Sequence, residues 1–302
     1  MIDPQHAMGK EICALVTWTT DATMRCFQSQ DGAVPFVDAD VSAISLEEPS
    51  FLASPTSHRS ESQSRRSHGT ESTSAVPRTQ QLGMSLISEV GALCCELLAV
   101  SRAVDCQDVS AHAQGWCGLA PSPSLLPLYG RLAVQIAKQG SDFSLLRRIL
   151  TSYHGHDVEE ECTVVRQAVS NLVFAKSICL DALVDMVLEA ADELLKEETE
   201  IIFVLPESVG ELWQSGKGSI AQAMEAIVSA QKGSQMLVQK VAARLKSTPS
   251  SNEKCQLFLV KCMCLLSNQS SKVVREATIA IKEVDRSALS PKVGDLLSDM
   301  FE

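Results

Sequence analysis

The chain has 302 residues, enough for one elongated domain or two compact domains with an ample core. Hydrophobic residues make up 45% and aromatic residues only 4%, which favours helices packed on helices, because sheets draw on aromatic and β-branched residues. The net charge of −11 repels phosphate, so we expect no direct nucleic-acid binding by the chain as a whole.

Residues 1–52 form an acidic N-terminal region to which we assign no fold. This region holds eight Asp and Glu residues against Lys10 and Arg25, and it sustains no helical period. The short apolar piece from Ile12 to Trp18 is compatible with a strand or with one helix. The first ten residues are not followed by a secretory leader, so we expect an intracellular protein, cytoplasmic or nuclear.

Residues 53–81 form a Ser-rich segment that predicts a disordered linker. The segment contains eight serines and four arginines and almost nothing apolar. Such a composition buries too little surface to offset the conformational entropy of the chain.

The eleven cysteines indicate a reducing compartment rather than a disulfide scaffold. Most of them lie in apolar helical patterns, where cysteine acts as a small buried hydrophobe. Those that we expect to be buried in this way are Cys94, Cys95, Cys179, Cys255, Cys262 and Cys264.

Residues 82–302 predict an α-helical domain. In the first helix we expect one buried face, formed by Leu82, Leu86, Val90, Leu93, Leu97 and Val104. A loop at Gly115–Gly118 follows, and then helices through Leu132 and from Phe143 to Tyr153. Further helices fit residues 158–174, 177–198, 219–231, 234–246, 252–267, 272–284 and 291–301.

Capping residues and turns separate these helices. Ser124 and Asp142 are expected N-caps, and Ser219 with Gln222 matches a capping box. Ser290 is followed by a proline at the first helical position, and Gly140 and Gly233 mark short turns. Short turns make successive helices antiparallel neighbours. The most apolar helix, through Cys255–Leu266, is too short to span a bilayer, and we expect no membrane association.

Two helices share the string Val-Val-Arg-x-Ala, at residues 164–168 and 273–277, each preceded by a more hydrophobic helix. The spacing of 109 residues equals about three units of a 35–40-residue helical repeat. This pattern resembles the second helix of a HEAT repeat. The resemblance implies antiparallel helix pairs in a HEAT/armadillo-like solenoid, with a repeat core formed by Val165, Ala168, Leu172, Val274, Ala277 and Ile281. The alternative is an irregular helical bundle without true repeats.

The composition of the Cys- and Leu-rich helices, as in Lys254–Glu283, also resembles that of armadillo-like factors that act in meiotic double-strand break formation. This second resemblance implies a nuclear regulatory factor in meiotic recombination that acts through protein partners.

The sequence predicts no catalytic, cofactor or metal site. The loop Gly216–Ser219 does not have P-loop spacing, and we interpret it as a turn before a helix. His154 and His156 match no zinc pattern, the chain contains no Cys-x-x-Cys, and the Gly-x-Ser-x-Gly elbow of hydrolases is absent from it. We therefore expect a protein that is not an enzyme.

One acidic stripe is the candidate partner surface. Asp181, Asp185, Glu189 and Asp192 lie three or four residues apart on one predicted helix face. Their mutual repulsion would favour a partner with basic segments, although a plain solvated face explains the same spacing. We expect a non-enzymatic scaffold or adaptor that binds other proteins along an extended helical surface.

Overall fold

The computed structural model of the chain is all-helical in the residues that it describes. No strand is present in these residues. The described ranges are 78–100, 106–119, 122–153, 159–197, 201, 218–266 and 270–301, together with Glu11, Ala14, Leu15, Trp18 and Ala22.

Between residues 78 and 301 the described part of the chain holds eleven α-helices, with two short 3-10 helices at Pro123–Leu125 and Arg286–Ala288. We number the α-helices in chain order: α1 (Arg78–Val100), α2 (Cys106–Leu119), α3 (Leu126–Gly140), α4 (Ser144–Ser152), α5 (Glu159–Val173), α6 (Leu180–Lys196), α7 (Ser219–Val228), α8 (Gln231–Ser247), α9 (Glu253–Cys264), α10 (Ser271–Lys282) and α11 (Pro291–Phe301).

The helices contact one another in an alternating order. Helix α1 contacts α3, α3 contacts α5, and α5 contacts α7. The even-numbered helices form a second series, in which α2, α4, α6, α8 and α10 each contact the next member. Every extensive contact among the described helices joins helices no more than three places apart along the chain.

Seven of the later predicted helices are confirmed, with their ends moved by no more than three residues. Apolar periodicity located them because each helix buries one face in the core. The predicted loop at Gly115–Gly118 is wrong, because these residues belong to α2 and Trp116 is fully buried. Large side chains such as Trp116 gain more from burial than the helix loses from its glycines.

The predicted buried face of α1 is also wrong. Leu82 and Leu93 are 62% and 42% exposed, and Leu86, Val90 and Leu97 are half-buried. Instead, the buried positions of this helix are Gly83, Ile87, Gly91, Cys94 and Leu98. A Cβ atom at Gly91 would lie 2.6 Å from Leu128 Cδ2, so this glycine permits the close approach of α1 to α3. Val104 lies outside the described residues.

Helix α1 begins at Arg78, three residues before the predicted end of the linker. Residues 53–77 of that predicted linker lie outside the described residues, as does most of the acidic region 1–52. One stretch of α1, Gln81–Val100, is long and apolar enough to cross a membrane by length and composition alone. We expected only the shorter stretch in α9 to approach this limit.

The predicted caps are correct in part. Helix α11 begins at Pro291 directly after Ser290. The N-cap of α4 is Phe143 and not Asp142, whose carboxylate accepts a 2.9 Å hydrogen bond from the backbone N–H of Ser144. Ser124 lies inside a 3-10 helix instead of capping α3. The capping box at Ser219 is wrong, because Ser219 is the first residue of α7 and its hydroxyl donates to the carbonyl oxygen of Leu150 at 2.6 Å.

The cysteine expectation holds for Cys94, Cys255 and Cys262, which are buried. Cys95 is half-buried, and Cys179 is exposed because it lies just before α6 rather than within it. The side chain of Cys264 lies outside the described residues.

The two Val-Val-Arg-x-Ala strings do not occupy equivalent positions. In α5 the buried valine is Val165, whereas in α10 it is Val273, and Val274 is half-buried. The other five expected core residues, Ala168, Leu172, Ala277, Ile281 and Val165, are buried. Helix α5 belongs to the odd-numbered series and α10 to the even-numbered series. In a repeat of helix pairs they would therefore be the first helix of one pair and the second helix of another, and not equivalent helices. The expectation for Val274 is therefore wrong.

Candidate functional site

The acidic stripe of α6 is paired with cations from its own chain. Lys240 of α8 lies 2.8 Å from an Asp181 carboxylate oxygen and 2.6 Å from one of Asp185. Arg244, one turn further along α8, pairs with Asp192.

The opposite side of the stripe pairs with α4. Arg147 lies 3.2 Å from Glu189 and 3.0 Å from Glu193. The stripe thus lies between cations of two neighbouring helices, α4 and α8.

These pairs overturn the expected repulsion along the stripe. Each of the four carboxylates has a cation within ion-pair distance. Their interaction with α4 and α8 is therefore attractive. Hydrogen bonds from Lys240 to Asp181 and Asp185 raise the pKa of that lysine. A basic partner would first have to displace these cations, so we look for the candidate site elsewhere.

The apolar side of α6 lies in the hydrophobic core. Leu183, Met186, Val187 and Ala190 are buried, and Ile178, in the turn before the helix, is half-buried.

A groove of about 590 Å³ lies across α1, α3 and α5. These three helices follow one another in the odd-numbered contact series, so each contributes one face to a common surface. The lining residues are Cys95, Glu96 and Ala99 from α1, Pro127, Gly130, Arg131, Val134, Gln135 and Lys138 from α3, and Val164, Gln167, Ala168 and Asn171 from α5.

Helical periodicity brings these residues together. The α3 residues from Pro127 to Lys138 recur every three or four positions, and so do the α5 residues from Val164 to Asn171. The floor is apolar, because Gly130, Val134 and Ala168 are buried there.

Gly130 sets how closely α3 and α5 approach. A Cβ atom at this position would lie 3.1 Å from Val164 Cγ1, which is tighter than an ordinary van der Waals contact. The glycine therefore lets α3 and α5 pack closely at the groove.

The polar side chains of the groove have no hydrogen bond or ion pair to any other described residue. This holds for Arg131, Gln135, Lys138, Gln167 and Asn171. By contrast, Arg166, beside the groove on α5, pairs with Glu225 of α7. The groove therefore presents donors and acceptors that the described part of the fold does not use.

The groove offers binding groups rather than a reactive centre. Burial raises the pKa of the Cys95 thiol to about 11, and the nearby Arg131 lowers it only in part. At neutral pH this thiol is protonated and a poor nucleophile.

The described residues contain no group of three or more His, Cys, Asp or Glu side chains that could hold a metal ion. His154, His156, Gly216 and Lys217 lie outside the described residues.

The sequence did not predict this groove. Each of its three helix faces, taken alone, looks like an ordinary solvated face, and the adjacency of α1, α3 and α5 is not evident from one sequence. The available signal was the pair of small residues, Gly130 and Ala168, set among long polar side chains.

Comparison of the chain with protein-family models, with curated proteins and with solved structures finds no match, so the candidate site rests on its own geometry.

Proposed function

We propose that this protein is a non-enzymatic scaffold or adaptor, and that the groove across α1, α3 and α5 holds a segment of a partner protein. The observation that carries the proposal is a row of polar side chains around an apolar floor, none of which has a hydrogen bond or ion pair to a described residue. Side chains left without partners by the fold are available to a ligand.

The alternating helix contacts support a HEAT/armadillo-like solenoid as the scaffold. In a solenoid of helix pairs, each helix contacts its counterpart in the next pair, and the contacts stay local along the chain. The odd-numbered series α1–α3–α5–α7 and the even-numbered series α2–α4–α6–α8–α10 have this order. In this proposal the helix pair is the repeating unit, without the sequence repeat that the two valine strings suggested.

The lining favours a protein segment over a small molecule. Small-molecule pockets enclose most of their ligand and are lined mainly by apolar groups. Here Glu96, Arg131, Lys138, Gln167 and Asn171 are exposed, over about two turns of α3 and about one turn of α5, so the site is polar-rimmed.

The test begins with a display library of random peptides about a dozen residues long, selected on the full chain. We expect peptides that bind the wild-type chain and lose binding to Ala99→Trp, since the indole would fill the groove from an exposed position. Ala182→Trp, at an exposed position of α6, is the matched control and should bind normally. Thermal melts by circular dichroism would confirm that both variants fold.

Failure of the wild-type chain to select any peptide would overturn the proposal. Selected peptides that bind Ala99→Trp as well as they bind the wild type would place the binding site outside the groove.

The nuclear, meiotic alternative differs in the identity of the partner and not in the mode of binding. Proteins recovered from cell extracts with the wild-type chain, and lost with Ala99→Trp, would include recombination proteins in that case. Cytoplasmic assemblies would instead favour a general adaptor.

A further inference from the structure

The groove carries a charge opposite to that of the chain. The chain has 26 Lys and Arg against 37 Asp and Glu, whereas the groove has Arg131 and Lys138 against Glu96. A cationic groove on an anionic protein attracts anionic groups locally while the remaining surface repels them.

Deepening the proposed function, on which this inference rests, we infer that the groove selects an extended acidic segment of a partner protein, with two carboxylates about three residues apart. The two cations set this spacing. Arg131 and Lys138 lie on one face of α3, seven residues apart, which corresponds to about 10 Å along the helix axis. In a polyproline II segment, side chains three residues apart point the same way and lie about 9 Å apart.

The amide side chains favour an extended occupant over a helical one. Gln135 lies between the two cations, and Gln167 and Asn171 line the opposite wall on α5. Each amide both donates and accepts hydrogen bonds. An extended segment has free backbone N–H and C=O groups for these amides, whereas a helix has already paired its own.

The floor fits the backbone of such a segment. Gly130 and Ala168 are buried and small, so a main chain can lie close to α3 and α5. Selection therefore depends on charge and on backbone hydrogen bonds.

Glu96 opposes the acidic segment from the α1 wall. It is exposed and lies beside Cys95, at the edge of the same groove. Removing its charge leaves both cations unopposed, so Glu96→Gln should tighten the binding of an acidic peptide.

The probes are labelled Pro- and Ser-rich peptides of about ten residues, a composition that favours the polyproline II conformation. The acidic probe carries Glu at its fourth and seventh positions, and a second probe carries Lys at the same positions. A third, Ala-rich helical probe carries Glu seven residues apart. Fluorescence anisotropy with the full chain measures the affinity of each probe.

We expect the acidic extended probe to bind best, and its affinity to fall as salt is added. The double variant Arg131→Gln/Lys138→Gln should lose about tenfold or more in affinity, because it removes two charge-assisted hydrogen bonds. Lys254→Gln/Lys282→Gln is the control, since it removes the same charge from exposed positions on α9 and α10. This control should keep nearly full affinity.

Equal losses in the two double variants would overturn the inference, because the attraction would then be general. Tighter binding of the Lys probe or of the helical probe would overturn it as well. If library-selected peptides still require the open groove but show no acidic preference, this inference fails and the proposed function stands. If the wild-type chain binds no peptide at all, both fail.

Discussion

The backbone N–H of Ser290 donates a 2.9 Å hydrogen bond to the side-chain oxygen of Gln256, a residue of α9 with no exposed surface. The amide nitrogen of the same side chain donates to the carbonyl oxygens of Thr248 and Ala288, at 3.0 Å and 3.1 Å. One buried glutamine thus joins the end of α8 to the start of α11.

Gln256→Leu should lower the free energy of unfolding by about 2 kcal/mol, because it leaves the buried N–H of Ser290 without an acceptor. Urea denaturation of the variant and the wild type measures the difference. Lys261→Leu, which changes a half-buried position of the same helix, should have a much smaller effect. Equal stability of Gln256→Leu and the wild type would show that water or a shifted backbone replaces these hydrogen bonds.

A second prediction concerns Gly233, which we expected only to mark a turn. It lies in the first turn of α8, and a Cβ atom there would lie 2.1 Å from the carbonyl oxygen of Ile227. Gly233→Ala must move the backbone between α7 and α8, so it should destabilise the protein by about 2 kcal/mol or more.

Gly294 is the matched control for this substitution, because a Cβ atom in its place meets nothing within 4 Å. Gly294→Ala should stabilise α11 by about 0.5–1 kcal/mol, since alanine loses less backbone entropy in a helix. Thermal melts of the two variants should move in opposite directions. A fall in the melting temperature of both would contradict the steric explanation.

The ion pairs of α6 give a third prediction. Replacing Asp181, Asp185, Glu189 and Asp192 by Ser should lower stability by about 1–2 kcal/mol, because partly exposed ion pairs contribute a few tenths to about 1 kcal/mol each. Added salt should narrow the difference from the wild type. The mutual repulsion expected from the sequence predicts the opposite sign.

The control for this variant replaces four exposed acids that have no ion pair to another described residue: Glu89, Glu96, Glu197 and Asp295. It makes the same change in net charge, so it separates the ion pairs from the general charge of the protein. Stability should rise or stay constant in the control. An equal loss in both variants would argue against a specific role for the α6 pairs.

The fourth prediction is a loss of stability in alkali. Burial raises the pKa of the thiols of Cys95, Cys117 and Cys255 from 9.0 to about 11. The folded pKa lies above the unfolded value, so the unfolded chain ionises first as the pH rises. Stability is therefore fully present below pH 9 and falls as the pH approaches about 11.

Urea denaturation under reducing conditions, at a series of pH values between about 8 and 11, measures this loss. The triple Cys→Ala variant should lose less stability across that interval, although it starts from a lower value because of the cavities it creates. Parallel pH profiles for the variant and the wild type would assign the alkaline loss to other groups.

The sequence predicted the helices well because each one buries an apolar stripe that recurs with the helical period. Helix α11 was predicted with the bounds that the structure has, and α5 within one residue at each end. The apolar residues of each helix recur with the helical period in its own sequence. These helices can therefore be predicted without knowledge of their neighbours.

The sequence was less informative wherever a second helix decides the outcome. In α1, apolar residues lie on more than one face. The face that carries Gly91 packs closely against α3, so Ile87 and Cys94 are buried while Leu82 and Leu93 are exposed. The cations that pair with Asp181 and Asp192 come from α8, more than fifty residues away. The groove depends on the same kind of information, since it exists only when α1, α3 and α5 are adjacent.

The locality of the helix contacts has a consequence for biosynthesis. No described helix makes an extensive contact with a helix more than three places away along the chain. Its packing partners are therefore synthesised soon after or before it leaves the ribosome. Chains with such low contact order fold quickly, and large non-local closures do not delay them. The domain is therefore suited to folding from its N-terminal side during translation, with the exposed apolar positions of α1, Leu82, Leu93 and Val100, as a surface open to a chaperone.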